Sequence, residues 1–506
     1  MKNTNNKPQS LKILFLAAEV FPYAKTGGLA DVAGSLPKAI RRLGHDIRIA
    51  MPRYGFIDKE RWGLKEVIAR LDVPFGEGTE PVRVYETRLG DVPVYMIDND
   101  RFFNRDGIYA YPDDAERFIL FSRASLELAK ALSWPPHIVH CNDWHTALVP
   151  NWLKSVYKDD PFWQNTRTVF TIHNLAYQGI FGYRVLEVAG LAQYGFIAHP
   201  QLSHWDHVVH FMARGLIFAD YITTVSPRYA QEIMTPEFGA GLAPILRDRA
   251  DTVVGILNGI DTDVWNPATD EYIVRHYDVE HLEERKQNKT FLQEHVNLPV
   301  GEEHPLMGFI GRLTEQKGID LLVQAADHVA THLGAQLVIL GTGEEKWRQL
   351  IEEAAKKHPQ HIRATFTFNT PMAHYIYAGV DILLMPSRFE PCGLNQMIAM
   401  RYGAVPVVRE VGGLADTVKD FNPTTGEGNG FTFQEYSAHA LYTAIVRAVE
   451  NWKHKDVWRT LQVRGMTTDF SWNRSARQYV DVYYRALATS GQVPQKLKEK
   501  LEGLIE

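Results

Sequence analysis

The sequence has few cysteines, no long apolar run and no excess of positive charge. Only two cysteines, Cys141 and Cys392, occur in 506 residues. Two cysteines cannot form a disulfide framework, and so we expect a reducing compartment and predict a cytoplasmic protein. No 18 apolar residues run together, which predicts no membrane-spanning helix. The 54 Lys and Arg against 60 Asp and Glu leave a net charge of −6, which excludes a global field that attracts nucleic acid or anionic lipid.

Sequence motifs with well-known chemistry are also missing. The chain has no serine nucleophile elbow, no Walker phosphate loop and no pair of carboxylates at a spacing typical of catalysis. His140 and His145 are candidate metal ligands, but their i, i+5 spacing lacks the i, i+4 pattern of helical zinc ligands. We therefore expect neither metal nor cofactor, and any anionic ligand must be held by local groups.

What the sequence does contain is an alternation of short apolar runs with longer amphipathic stretches. This alternation is typical of βα units and a parallel sheet, and 506 residues predict two large α/β domains or about three average ones. The predicted strands of the first half are residues 12–18, 46–51, 92–97, 137–140, 168–172 and 221–225. A second series comprises residues 306–310, 335–340, 364–368, 381–385 and 404–408. The run 12–18 is too short for a secretion signal, and we interpret it as a buried first strand.

The two series are separated by a segment rich in turn residues and charge. It contains Asn-Gly and Asn-Pro dipeptides and a charged stretch at residues 281–289. We therefore place a domain boundary near Leu257.

The segment Gly-Gly-Leu-Ala-Asp occurs twice, at residues 27–31 and 412–416. Each copy follows a predicted strand and precedes a predicted helix. Glycines let the backbone turn sharply, and the helix N-terminus offers N–H groups to a phosphate. A single Gly-Gly turn is more often plain structural punctuation, but two copies of one segment favour a phosphate-binding role.

Three cations lie on predicted strand-to-helix loops, one of them beside a Gly-Gly pair. Lys25 comes just before the first Gly-Gly pair, and Arg312 and Lys317 lie five residues apart after a predicted strand. Arg as a planar fork and Lys as a point charge can converge on one diphosphate. The alternatives are a solvated loop lysine for Lys25 and, for the other two, salt bridges to neighbouring carboxylates such as Glu315 or Asp320.

Two further loops carry polar side chains at the carboxyl ends of predicted strands, where parallel sheets bind ligands. Glu390 follows the strand 381–385. Its carboxylate can accept sugar hydroxyls or stabilise positive charge on a sugar ring, and the alternative is a carboxylate that satisfies a helix N-terminus. His173 and Asn174 follow the strand 168–172.

As an ordered set, these motifs closely resemble those of the bacterial glycogen synthases and plant starch synthases, which are retaining glucosyltransferases that use a nucleotide sugar. The resemblance extends over nearly the whole chain and is carried by residues 25–31, 173–179, 257–261, 311–318, 387–394 and 412–418. It implies an α/β protein with two Rossmann-like, doubly wound domains facing across a deep cleft, the glycosyltransferase-B fold. The implied domains are residues 1–257 and 258–470, with a helical segment at 471–506 that crosses back to the first domain.

The implied reaction is transfer of glucose from ADP-glucose to the non-reducing end of an α-1,4-glucan, with retention of configuration. The alternatives are another two-domain nucleotide-sugar transferase or epimerase, or a non-catalytic glucan-binding protein. The resemblance implies catalytic roles for Glu390, His173, Arg312 and Lys317. It implies that the donor is bound by Lys25, Gly27, Gly28, Asp31, Asn258, Phe368, Gly412, Gly413 and Leu414. Asp143, Tyr109 and Asn174 are implied on the sugar and acceptor side, and Phe368 is expected to stack on the base.

Two positions depart from the family pattern. Ile398 lies eight residues after Glu390, where the wider superfamily of retaining transferases has a second glutamate that holds ribose. Asp31 is then a candidate for the ribose contact. Val411 precedes the second Gly-Gly pair where Thr is expected, which removes a hydroxyl donor but leaves backbone N–H groups.

Overall fold

The computed structural model describes residues 10–197 and 207–489, which form two compact units. Among the described residues, the first unit comprises 10–197, 207–225, 230–256 and 472–489, and the second comprises 226–229 and 257–471. Within these ranges, no helix is both long and apolar enough to cross a membrane.

The first unit is built on a large sheet. Its strands are β1 (Lys12–Leu16), β2 (Asp46–Pro52), β3 (Lys65–Phe75), β4 (Gly78–Leu89), β5 (Val92–Asp98), β6 (Ile138–Asn142), β7 (Arg167–Ile172), β8 (Ile180–Phe181), β9 (Val209–His210), β10 (Tyr221–Thr224) and β11 (Val253–Gly255). The main sheet has the order β11-β10-β7-β6-β1-β2-β5-β4-β3. It is parallel except at β3–β4 and β4–β5, and β8 pairs with β9 separately.

Seven helices lie along this first half of the described chain. They are α1 (Gly28–Arg42), α2 (Asp114–Ala131), α3 (Leu148–Lys154), α4 (Arg184–Val188), α5 (Phe211–Phe218), α6 (Pro227–Glu232) and α7 (Ala243–Asp248).

The second unit is a parallel sheet with its own helices. Its strands are β12 (Leu306–Ile310), β13 (Gln336–Leu340), β14 (Ile362–Thr365), β15 (Ile382–Met385), β16 (Val405–Arg409) and β17 (Phe431–Phe433), in the order β14-β13-β12-β15-β16-β17. Its helices are α8 (Arg285–His295), α9 (Ile319–His332), α10 (Glu345–Lys357), α11 (Thr370–Gly379), α12 (Asn395–Arg401), α13 (Gly412–Thr417), α14 (Ala438–Trp452) and α15 (Lys455–Thr467). The last described helix, α16 (Trp472–Ala488), packs against α1 and β7 of the first unit.

Strand order in each sheet locates the loops that matter for binding. The chain proceeds from β12 outward through β13 and β14, then returns to the other side of β12 with β15 and continues outward. In the first unit the same reversal separates β1 from β6. Ligands of open α/β sheets bind beyond the carboxyl ends of the strands at such a switch point. The loops after β12 and β15, and those after β1 and β6, are therefore the candidate ligand-binding loops.

The predicted parallel strands are present, but one of them is displaced. We expected a strand at residues 364–368, whereas β14 is Ile362–Thr365 and pairs with β13 from Leu337↔Ile362 onward. The strand stops early because the chain turns into α11, whose N-cap Asn369 accepts a hydrogen bond from the N–H of Met372. Phe368 thus lies in a loop and not at a strand end.

Candidate active site

In the second unit, a cation and a carboxylate from neighbouring loops meet. Lys317 follows β12 and Glu390 follows β15. The ammonium nitrogen of Lys317 lies 2.9 Å from Glu390 Oε1 and 2.7 Å from Oε2, and the Ser387 hydroxyl donates to Oε2 at 2.9 Å. The Glu390 side chain is 6% exposed and that of Lys317 is 22% exposed. The carboxylate therefore serves this ion pair, and the alternative of a helix-capping glutamate is wrong.

Backbone contacts fix the two loops against each other. Gly318 has φ +73°, and a Cβ there would lie 2.0 Å from the carbonyl oxygen of Pro386. The N–H of Arg388 donates to the carbonyl of Gln316 at 2.9 Å. Only glycine permits both this backbone angle and this approach. The position of Lys317 relative to Glu390 is consequently set by main-chain contacts as well as by the ion pair.

Arg312 lies in the same loop as Lys317 and is exposed. Its Nη2 donates to Gln316 Oε1 at 3.1 Å. Lys317 does form a salt bridge, as the alternative expected, but its partner is Glu390 and not Glu315 or Asp320. An exposed guanidinium with further donors is chemically suited to a phosphate.

The second Gly-Gly pair lies directly against the Glu390 loop. A Cβ on Gly412, which has φ +45°, would lie 1.9 Å from the carbonyl oxygen of Glu390, and one on Gly413 would lie 2.1 Å from that of Cys392. The N–H of Gly413 donates to the Glu390 carbonyl at 3.1 Å, while Leu414 is buried. These glycines are thus required by close backbone packing beside the carboxylate.

Asn258 and Phe368 offer unused surfaces in this unit. Asn258 is buried, its N–H donates to the thiol of Cys392, and its Oδ1 has no hydrogen-bond partner within the described ranges. Burial raises the pKa of Cys392 to about 12, so this thiol is unreactive. Phe368 is 81% exposed. A ligand that donates a hydrogen bond to the buried acceptor, or that stacks on the exposed ring, would bind favourably.

In the first unit, Glu19 organises the loop between β1 and α1. Its buried carboxylate accepts hydrogen bonds from the N–H groups of Thr26 at 2.5 Å and Gly27 at 3.1 Å, and from the Tyr109 hydroxyl at 3.1 Å. Burial raises the pKa of Glu19, and the backbone donors oppose that rise. By contrast, no atom lies within 4 Å of a Cβ built on Gly28. The Glu19 carboxylate therefore fixes the loop through hydrogen bonds, and the space beside Gly28 is unfilled.

Lys25 and Asp31 form an ion pair with each other in this loop. The ammonium of Lys25 lies 2.6 Å from Asp31 Oδ1, and both side chains are about one-third exposed. Lys25 is thus not merely a solvated lysine. The roles expected for these two residues toward diphosphate and ribose stay predictions.

The loops after β6 and β7 bring together Asp143, His173 and Asn174. Asp143 has φ +55°, and its carboxylate accepts from the N–H of His173 at 2.7 Å and from that of Asn174. A positive φ outside glycine costs energy and is concentrated at functional sites. Burial raises the pKa of Asp143 to about 7, and the two N–H donors oppose the rise. The carboxylate therefore orients the start of the His173 loop.

The His173 ring is a neutral imidazole with a defined tautomer. Burial lowers its pKa to about 3. Its Nε2 lies 2.8 Å from Asn142 Oδ1, and the amide nitrogen of Asn142 donates to the carbonyl of Leu16 at 2.8 Å. Since Oδ1 of Asn142 is then the acceptor, His173 Nε2 carries the proton. Its Nδ1 has the lone pair and can accept a hydroxyl.

The candidate metal ligands His140 and His145 are both buried within the first unit. Nε2 of His140 lies 2.6 Å from the Thr171 hydroxyl and Nδ1 lies 2.8 Å from that of Tyr483. The His145 ring stacks on Tyr109 with centroids 4.8 Å apart. Both nitrogens of His140 are thus used within the fold, and residues 10–197 and 207–489 hold no cluster of three or more possible metal ligands.

Sequence reasoning missed three residues that position this chemistry: Glu19, Asn142 and Ser387. Glu19 was the easiest of the three to identify from sequence, because a carboxylate that follows a buried first strand needs hydrogen-bond donors close by. Asn142, at the end of β6, gave a weaker signal of the same kind. Ser387 gave none, since a serine in a loop is common.

The chain matches two protein-family models and is similar to known glycogen synthases. Residues 12–248 match the family model of the starch synthase catalytic domain, and residues 291–460 match that of glycosyl transferases group 1. The chain is 46% identical to a glycogen synthase of Thermotoga petrophila over 489 residues, which covers 95% of this chain and 100% of that protein. It is also 46% identical to a glycogen synthase of Desulforudis audaxviator, over 94% of this chain and 97% of that one.

Solved structures give matching results. The catalytic domain of starch synthase IV from Arabidopsis thaliana, bound to ADP and acarbose, superposes with a TM-score of 0.88 at 36% identity, over 95% of this chain and 100% of that domain. A sucrose-phosphate synthase from Thermosynechococcus elongatus has a TM-score of 0.59 at 18% identity, over 94% and 99% of the two chains, a likeness of fold alone.

Proposed function

The chain belongs to the family of bacterial glycogen synthases and plant starch synthases, and we propose that it transfers glucose from ADP-glucose to the non-reducing end of an α-1,4-glucan, with retention of configuration. The resemblance drawn from the motifs is confirmed, and the protein is a glycosyltransferase of the glycosyltransferase-B fold class. The observation that carries the mechanism is the Lys317–Glu390 pair at the switch point of the second unit. This pair supports a donor site at which opposite charges develop.

On the donor side, the chemistry is electrostatic. Cleavage of the sugar–phosphate bond leaves positive charge on the sugar ring and negative charge on the diphosphate. Lys317 has three N–H donors, and two acceptor oxygens of Glu390 use two of them, so one remains for a phosphate oxygen. Arg312 adds a second cation. Charged groups that are oriented before the reaction stabilise the transition state most where charge develops. We therefore assign Glu390 to the sugar ring, and Lys317 with Arg312 to the leaving diphosphate.

On the sugar side, acceptors for hydroxyl groups are available. Nδ1 of His173 carries the lone pair in the tautomer set by Asn142, and Oδ1 of Asn258 has no hydrogen-bond partner among the described residues. Phe368 would stack on the base. Asp31 would bind the ribose, because Ile398 has no polar group to accept a ribose hydroxyl. Lys25 would bind a phosphate oxygen of the donor. Tyr109, Asp143 and Asn174 would complete the sugar and acceptor side, and backbone N–H groups of Gly27, Gly28 and residues 412–414 would assist the phosphates.

A donor panel tests this proposal. The purified chain is incubated with glycogen and either ADP-glucose or UDP-glucose, with and without EDTA, and both nucleotide release and glucan length are measured. We expect ADP release coupled to α-1,4 chain extension, unchanged by the chelator because Arg312 and Lys317 stand where a metal would otherwise neutralise the diphosphate. Glucan binding without nucleotide release would favour the non-catalytic alternative, and a small sugar product would favour another transferase.

The same activity fits a reducing, cytoplasmic setting. Cys141 and Cys392 are both buried and free. We place the reaction there, with nucleotide sugar and glucan as its partners.

A further inference from the structure

One side chain of the second unit, Tyr436, contacts two of the loops that carry the proposed donor residues. Tyr436 lies between β17 and α14. Its hydroxyl lies 2.6 Å from Asp320 Oδ1 and 3.0 Å from the carbonyl oxygen of Glu315. The guanidinium of Arg388 lies 4.0 Å from the centre of its ring. The hydroxyl thus holds the loop after β12, and the ring holds the loop after β15.

Arg388 extends this contact to a third loop. Its N–H donates to the carbonyl of Gln316 at 2.9 Å, and its own carbonyl accepts from Arg409 Nη1 at 2.6 Å. Arg409 ends β16, and its guanidinium lies 5.3 Å from the Tyr436 ring. The loops after β12, β15 and β16 are therefore connected by a Tyr–Arg cluster, defined as Tyr436, Arg388 and Arg409.

Two residues in contact with Tyr436, Glu315 and Arg388, each lie two positions before a group proposed to act on the donor. Glu315 precedes Lys317 by two residues, and Arg388 precedes Glu390 by two. Neither contact of Tyr436 is to Lys317 or Glu390 themselves. Because oriented catalytic groups lose effect steeply when displaced by about 1 Å, contacts at this distance would affect the rate without touching substrate.

Resting on the proposed function, we propose that Tyr436, acting through Arg388, is a positioning residue that holds Lys317 and Glu390 in register for the donor. Its ring and its hydroxyl have separate tasks. The ring supports Arg388 by a cation–π contact, and the hydroxyl anchors the Lys317 loop. The competing explanation is a tie that only stabilises the fold.

The test removes the hydroxyl alone and asks whether the effect passes through Lys317. Tyr436→Phe is compared with Tyr442→Phe, a matched control on α14 whose ring lies against His328. Initial rates with ADP-glucose and glycogen are measured well below the melting temperature, which is recorded for each variant. We expect Tyr436→Phe to lower kcat about 5- to 10-fold with KM within about twofold, and Tyr442→Phe to change neither. Arg388→Met should show the same split between kcat and KM.

A second comparison separates positioning from stability. In a Lys317→Ala background, Tyr436→Phe should cost less than about twofold in kcat, because the group that it positions is gone. An equal loss in both backgrounds, or a normal kcat in the Tyr436→Phe enzyme, would overturn the inference while the proposed function stands. A wild-type chain without ADP-glucose turnover would instead overturn the proposed function, and the inference with it.

Discussion

Replacing Glu390 with glutamine separates the charge of this side chain from its shape. The glutamine side chain would keep an oxygen near Lys317 and Ser387 but would bring no negative charge to the sugar ring. Two unit charges about 4 Å apart at an effective dielectric of about 20 interact by about 4 kcal/mol. Single preorganised groups of this kind contribute about 10²- to 10³-fold in kcat. We expect a loss of that size in kcat and a much smaller change in KM.

The structure also predicts a cost in stability. The Glu390 carboxylate accepts two contacts from Lys317 and one from Ser387, and it is nearly buried. Losing the charge on one partner weakens bonds that are worth about 1.5 to 3 kcal/mol when charge-assisted, although the glutamine oxygen retains part of them. A drop of a few degrees in melting temperature is expected, so rates must be measured well below it.

The assay is ADP release with glycogen at saturating ADP-glucose, followed by KM for the donor. Glu315→Gln, at an exposed glutamate on the loop after β12, is the matched control and should behave as wild type. A Glu390→Gln enzyme whose kcat lies within about threefold of wild type would refute the assignment of this carboxylate to the sugar ring. Its role would then be limited to holding Lys317.

Three further predictions follow from the same geometry. Lys25→Ala should lower kcat/KM in the ADP-release assay by about 10- to 100-fold, since one charge-assisted bond is worth about 1.5 to 3 kcal/mol, and an unchanged kcat/KM would remove this lysine from the donor site. Phe368→Ala should raise KM for ADP-glucose by about 10-fold with kcat retained, because base stacking is worth about 1 to 3 kcal/mol. An unchanged KM would show that Phe368 does not stack on the base. The pKa of Asp143 is raised from 3.8 to about 7, so its protonated form stabilises the fold below about pH 4 and that contribution is lost as the pH rises through about 7. Asp143→Asn should therefore gain melting temperature relative to wild type between about pH 5 and pH 8, and a constant difference across that range would contradict the assigned burial.

The short parallel strands β11 and β17 were not predicted. The other parallel strands were predictable because they are buried on both faces, which leaves a run of apolar residues in the sequence. β1 and β6 are of this kind. The antiparallel strands β3 and β4 were not predicted. Most residues of β3 are exposed and many are charged, so the strand carries little apolar signal although it extends from Lys65 to Phe75. Its stability comes from pairing with β4, which composition does not reveal.

Lys317 and Glu390 were predictable as candidate residues but not as a contact. Lys317 and Glu390 were identified because each is a charged residue that follows a buried strand, and the carboxyl ends of parallel strands share one edge of the sheet. Their direct pairing depends on β12 and β15 being neighbours, a relation between residues 73 positions apart. The Lys25–Asp31 pair and the Glu19 bonds depend likewise on how a loop closes. The tertiary fold, and not local sequence preference, determines which side chains form these contacts.

The two Gly-Gly-Leu-Ala-Asp segments show why one sequence pattern does not imply one physical cause. At Gly412 and Gly413 an added Cβ would collide with carbonyl oxygens of the Glu390 loop, and the positive φ of Gly412 adds strain for any other residue. At Gly28 an added Cβ would meet nothing. In the second unit, packing beside the carboxylate is therefore sufficient to require glycine, whether or not a phosphate binds there. In the first unit, packing leaves Gly28 unexplained, and space for a ligand against the backbone at the start of α1 is the remaining reason for glycine.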